Sequence, residues 1–206
     1  MNETEAVSDI RDMRWSGDAV VTNVEAANRQ LSTAIRMYFA CDDLVSVHTL
    51  ACASREIFEK HCRRQGKQSV ADWSLGQGVF SSDRQLWHVL NYERNFFKHA
   101  AATLTDGVVL SEKSVYMALL IASEDCRSIC GDKLPGEVIA FRFWSAFRYF
   151  VTTGKIEFRP DPDEQAYRRF IEIQPDFQHL AWSEQRHFGQ YVSECVMLSI
   201  SNATPD

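Results

Sequence analysis

Between Thr22 and Val151 the chain is a succession of apolar stripes at helical spacing, each opened by a capping signal and closed by a turn residue. Apolar side chains at steps of three and four share one face of a helix, so this spacing argues for helices and against strands. Thr22-x-x-Glu25 reads as a capping box, and Val24, Ala27, Leu31, Ala34, Ile35, Tyr38 and Phe39 follow it. Asp42-Asp43 breaks that helix and gives the next an acidic N-terminus, with a stripe through Leu44, Val47, Ala51 and Phe58. The second helix ends in His61, Arg63, Arg64 and Gly66, basic residues where the helix dipole favours them and a glycine stop.

Residues 66–81 read as irregular, and Ser82-x-x-Gln85 opens a third helix running to about Leu104, before Asp106-Gly107. A fourth spans about Ser111 to Cys130, stopped by Gly131, and a fifth spans about Glu137 to Val151, closed by Gly154. Two prolines in residues 155–163 exclude a helix there. Shorter helices are expected near 163–173 and 178–199, with a loose tail over residues 1–20 in which Trp15 docks and a frayed end over 201–206.

The expectation is an all-α chain: one helical domain over 21–200, a bundle of about four long helices (22–130) with a C-terminal helical extension (131–200). Only 9 Gly and 5 Pro in 206 residues argue against collagen-like, low-complexity and turn-dense β folds. A hydrophobic share of 45% argues against disorder. No apolar run reaches the length of a membrane helix, and the first residues lack the order of an export signal. The six cysteines form no C-x-x-C and are expected as reduced, mostly buried thiols, with no metal or cofactor. A cytoplasmic location follows from that reading.

Function is carried by the third helix. Stepping about 100° per residue puts Leu86, Val89, Leu90, Phe96, Phe97, Ala100, Ala101 and Leu104 on one face, read as the core face. His88, Tyr92, Asn95 and His99 fall opposite, residues that donate, accept and exchange protons near neutral pH. Arg94 sits on the shoulder of the core stripe, nearest Trp87 and Lys98. Five residues turn about 140°, so one chain cannot easily aim Arg94 and His99 at one small group, whereas a two-fold dimer packed on this face can. Glu93 lies within the apolar stripe and needs a buried partner, for which Arg55 or His48 on the second helix are candidates.

The segment Arg94-Asn95-Phe96-Phe97-Lys98-His99 resembles the R-x(4–6)-H signature of the HEPN superfamily, including the polar residue after the arginine. The resemblance implies a helical bundle, often dimeric, in toxin–antitoxin, abortive-infection or CRISPR-associated systems. Many members are metal-independent RNA endonucleases, often beside a minimal nucleotidyltransferase partner; others only bind. It implies that His99 handles protons as an RNA 2′-hydroxyl attacks the adjacent phosphate, that Arg94 stabilises charge on that phosphate, and that Asn95 orients the site. RNA carries its own nucleophile, so an imidazole and a guanidinium suffice without metal. His88, Tyr92, Glu93, Lys98, His48 and Arg55 would support the site. Two readings follow: a ribonuclease with a composite Arg/His site at a homodimer interface, and a non-catalytic helical binding module of a bacterial defence or regulatory system.

A net charge of −6 means that any RNA contact must be local, around Arg94, Lys98 and Arg142 or Arg148. The aromatic-rich stretch Phe141–Phe150 surrounds its helix, which favours packing over base stacking. His48, Cys52, Arg55 and Glu59 form a polar line on the second helix, with Cys52 read as buried filler. Glu184-x-x-His187 has a metal-ligand spacing but lacks the second copy that a carboxylate-bridged site requires.

Overall fold

A computed structural model describes residues 20–99, 107–153 and 164–203, with the side chains of 164–168 and 202–203 left out. Among the described residues the regular structure is entirely helical. The α-helices are α1 (Asn23–Phe39), α2 (Leu44–Arg64), α3 (Val70–Gly76), α4 (Asp83–Lys98), α5 (Glu112–Cys130), α6 (Gly136–Thr153), α7 (Glu164–Ile173) and α8 (Trp182–Ala203). Two short 3-10 turns, Gly131–Lys133 and Phe177–His179, precede α6 and α8.

Most capping signals of the sequence are met by hydrogen bonds, although in the Ser82-x-x-Gln85 capping box the Gln85 side chain accepts from the Ser81 amide instead of that of Ser82. Thr22 Oγ1 accepts from the Glu25 amide at 3.2 Å while Glu25 accepts from the Thr22 amide at 2.8 Å, the reciprocal capping box. Asp43 accepts from the amides of Val45 and Ser46, and Ser82 from that of Gln85. Gly66 and Gly131 both take positive φ just past helix ends, where a Cβ would be strained. Two boundaries differ from expectation. Residues 66–81 are not wholly irregular, because Ser69 caps the short helix α3 through the Asp72 amide. The third long helix stops at Lys98 rather than near Leu104, and Ala100, Ala101 and Leu104 fall outside the described residues, as do Trp15 and residues 155–163.

The hydrophobic core is one cluster drawn from α1, α2, α5 and α6, with Phe177 and Val192 of the C-terminal third in the same cluster. Phe141, Trp144 and Phe147 of α6 are fully buried, which is the packing reading of that aromatic run. Trp144 Nε1 donates to the Gln185 carbonyl at 2.9 Å and Trp182 Nε1 to the Tyr38 hydroxyl at 2.9 Å, tying α8 to α6 and α1. Gly189 lies against the Phe39 ring, leaving no space for a Cβ.

Helix α4 is the exception. None of its residues belongs to the core cluster, and only Leu86 and Asn91 among them are buried. Val89, expected in the core, is 52% exposed. Leu86, Val89 and Leu90 of the α4 stripe line a cavity instead of closing on the core, while the Phe97 ring meets that of His48 on α2.

Candidate functional site

The residues singled out on α4 divide into two groups. His88, Tyr92, Asn95, Lys98 and His99 are exposed, with the His88 and Tyr92 rings 5.3 Å apart. His99 is the C-cap, with φ −116 and ψ 135, so its backbone has left the helix and helical stepping no longer places its side chain. Arg94, by contrast, turns toward α2, where it forms a close ion pair with Glu56. Partial burial works against the Glu56 carboxylate, yet Lys60, Arg94 and Lys98 hold it below the usual carboxylate range. The Glu56 carboxylate is therefore ionised at neutral pH, and it balances the Arg94 charge within the chain. Asn95 Oδ1 stands 3.5 Å from Arg94 Nη1.

Glu93 does not take the partner expected for it. Arg55 is engaged elsewhere, and Glu93, half-buried, acts on His48 through space without a hydrogen bond among the described residues. His48 is buried, and burial pushes its pKa down, so the ring at the cavity wall is neutral. Cys52 Sγ lies 3.6 Å from His48 Nε2, but burial pushes the thiol up, which leaves it an unreactive core group.

A buried polar network centred on Arg55 runs behind these residues. Arg55, 1% exposed, donates from Nη2 to Asn91 Oδ1 at 2.6 Å and pairs through Nη1 with Glu59 Oε2 at 3.2 Å. Asn91 Nδ2 donates to the Trp87 carbonyl at 3.0 Å, which orients its oxygen toward Arg55. Glu59 also meets Arg63 at 2.9 Å, and Arg63 reaches Asp72 of α3 at 2.9 Å. Asp125 of α5, 1% exposed, accepts from the Val70 amide at 2.8 Å. The network thus links α2 to α4 and to α3, while Asp125 links α3 to α5.

Three atoms of this buried set lack a hydrogen-bond partner, one of them Glu59 Oε1, which lies in the ion pair with Arg63. Arg55 Nε and Asp125 Oδ2 are buried without a hydrogen-bond partner. Burial pushes the Asp125 carboxyl up to about 7, opposed by the Val70 N–H. Both residues line the cavity, whose volume is about 760 Å³ and whose walls are mainly apolar, with Phe80, Leu86, Val89 and Leu90 facing Met117 and Ile121. A pocket of this size falls in the range of about 300–1,000 Å³ typical of small-molecule sites.

Sequence reasoning missed Asn91, Glu56 and Asp125. Asp125 had a signal: it follows Ala118 and Ala122 at steps of four and three, a carboxylate in the buried stripe of α5. The remaining candidates are occupied by the fold. Arg142 Nε donates to Glu124 at 2.8 Å, and Arg148 donates to Gln185 at 3.0 Å while stacking 3.9 Å over Trp182. Glu184 accepts from the Ala181 amide at the start of α8, and His187 Nδ1 is 3.0 Å from the Ser183 carbonyl. Among the described residues no group of three or more His, Cys, Asp or Glu is placed to hold a metal ion, and no helix is long and apolar enough to cross a membrane.

Set against protein-family models, curated proteins and solved structures, the chain matches none.

Proposed function

We propose that the chain is a non-catalytic helical binding module, HEPN-like in its Arg94–His99 segment, whose working site is the cavity walled by α2, α3, α4 and α5. The observation that carries this reading is the buried end of that cavity, where Arg55 and Asp125 line an apolar wall and each keeps an unpaired polar atom. Buried polar groups are normally satisfied, so an open donor and an open acceptor beside a ligand-sized space point to a ligand. The Arg94 ion pair supports the same conclusion. A guanidinium balanced by Glu56 has to give up that partner before it stabilises a phosphate, which makes it a poor transition-state donor.

The test is RNA cleavage in EDTA by the wild-type chain beside His99→Ala and Arg94→Ala, over several structured and single-stranded RNAs. The expected result is that the three proteins give the same product pattern as the buffer. Metal-independent cleavage by the wild type, lost in both folded variants, would establish the ribonuclease reading, with Arg94 and His99 meeting across a two-fold dimer, and would overturn this one.

A further inference from the structure

The chemistry of the cavity narrows what it can hold. Three cations and three carboxylates line it, Arg55, Lys113 and Arg127 against Glu93, Glu124 and Asp125, so its formal charge balances. Inside, Arg55 already has Glu59, and Arg127 has Glu124 at 3.1 Å. Lys113 and Glu93 have no salt bridge among the described residues but are of opposite sign, so a ligand of either charge would meet a like charge as well as an opposite one, and an uncharged ligand is favoured. Most of the wall is aliphatic or aromatic, which calls for an apolar body. The two open valences at the buried end differ in kind: Arg55 Nε offers a proton and Asp125 Oδ2 accepts one. A head group that satisfies both must carry a donor and an acceptor.

We infer that the cavity takes an uncharged small molecule with an apolar body and an amide-type head group, whose N–H donates to Asp125 and whose oxygen accepts from Arg55. This rests on the reading of the chain as a binding module. The half-open α4 stripe agrees with it. Val89 at 52% and Met117 at 41% exposure are apolar side chains on facing walls that the chain itself leaves uncovered. A bound apolar body would cover them. The polar end selects: a head group without an N–H leaves Asp125 unpaired, and an anionic head group brings a second acceptor to Asp125 where a donor is needed.

Three probes sharing one fluorophore test this on the full chain at pH 8: dansyl amide, its N,N-dimethyl amide and the corresponding sulfonate. Dansyl amide is expected to bind with one site per chain and a blue-shifted emission. The dimethyl amide and the sulfonate should each bind about tenfold more weakly or less, since leaving one buried polar group unpaired has a cost of that order. Asp125→Asn turns the open acceptor into a donor and should bring dansyl amide down to the level of the dimethyl amide. The double variant Val89→Arg/Met117→Arg changes two exposed positions, so it should fold, and it should lose all three probes. Equal affinity for the three probes would overturn the head-group inference while leaving the cavity as a binding site. Binding unchanged in the double arginine variant, or no binding by any probe, would overturn the cavity as the site. Cleavage of RNA by the wild type is a separate failure, read in a different assay.

Discussion

Methionine in place of Arg55 is expected to lower the stability of the chain by about 3–5 kcal/mol, the usual result of removing one member of a buried ion pair. The guanidinium is 1% exposed and holds Glu59 and Asn91, both buried. Without it, Glu59 keeps only Arg63, whose side chain is 45% exposed and shared with Asp72. Burial already pushes the Glu59 carboxyl up despite Arg55 and Arg63, so losing the buried cation leaves a charge the interior does not tolerate. Glu59→Gln in the same chain removes that charge and is expected to restore much of the loss. Asn91 Oδ1 also loses its donor, so α4 should loosen from α2. Urea denaturation reads the change as a fall in midpoint at unchanged slope. A loss below about 1 kcal/mol, the range of an exposed pair, would mean that the network does not hold these helices together.

Asp125 is expected to make the chain less stable as the pH rises from about 4 to about 7. In the folded chain its carboxyl is pushed up from 3.8 to about 7 by burial, so over this interval the native state keeps a proton that the unfolded state has lost. Stability falls with pH wherever the native state binds more protons, and the fall levels off above the folded value. The full shift corresponds to roughly 4 kcal/mol. Asparagine carries no such proton and its oxygen can still accept from the Val70 amide. The variant should therefore match the wild type near pH 4 and exceed it by about 2–4 kcal/mol at pH 8. Thermal or urea midpoints measured across pH 4–8 check this; parallel curves for the two proteins would show that the carboxyl titrates normally.

The helices were largely legible in the sequence because their signals are local. A capping box such as Thr22–Glu25, the N-cap Asp43 and the stop at Gly131 need only a few neighbouring residues, and each works as its spacing predicts. The short helix α3 was not legible: its cap depends on Ser69 and Asp72, and its anchor is Asp125 on a distant helix. The rotation of α4 was half legible. Its polar face, His88, Tyr92 and Asn95, is exposed as expected, but periodicity assigns an apolar stripe to a core without saying whether the core reaches it. Here the aromatic residues of α6 and the residues of α8 join α1, α2 and α5 in the core, and Val89 and Leu90 face open space. The partner of Arg94 was beyond sequence reasoning for the same reason. Glu56 lies 38 residues away, and only the packing of α4 on α2 brings the two together. The Arg94–His99 segment is visible in one dimension, whereas the cavity end at Arg55 and Asp125 is assembled from two helices.

The most direct test is to locate where an amide-bearing apolar molecule binds. Backbone amide resonances of the full chain titrated with dansyl amide should shift at Val70, Val89, Leu90 and Met117, around the cavity. Those of Asn95 and His99 should stay in place. Shifts centred on Asn95 and His99 with the cavity residues silent would contradict the account.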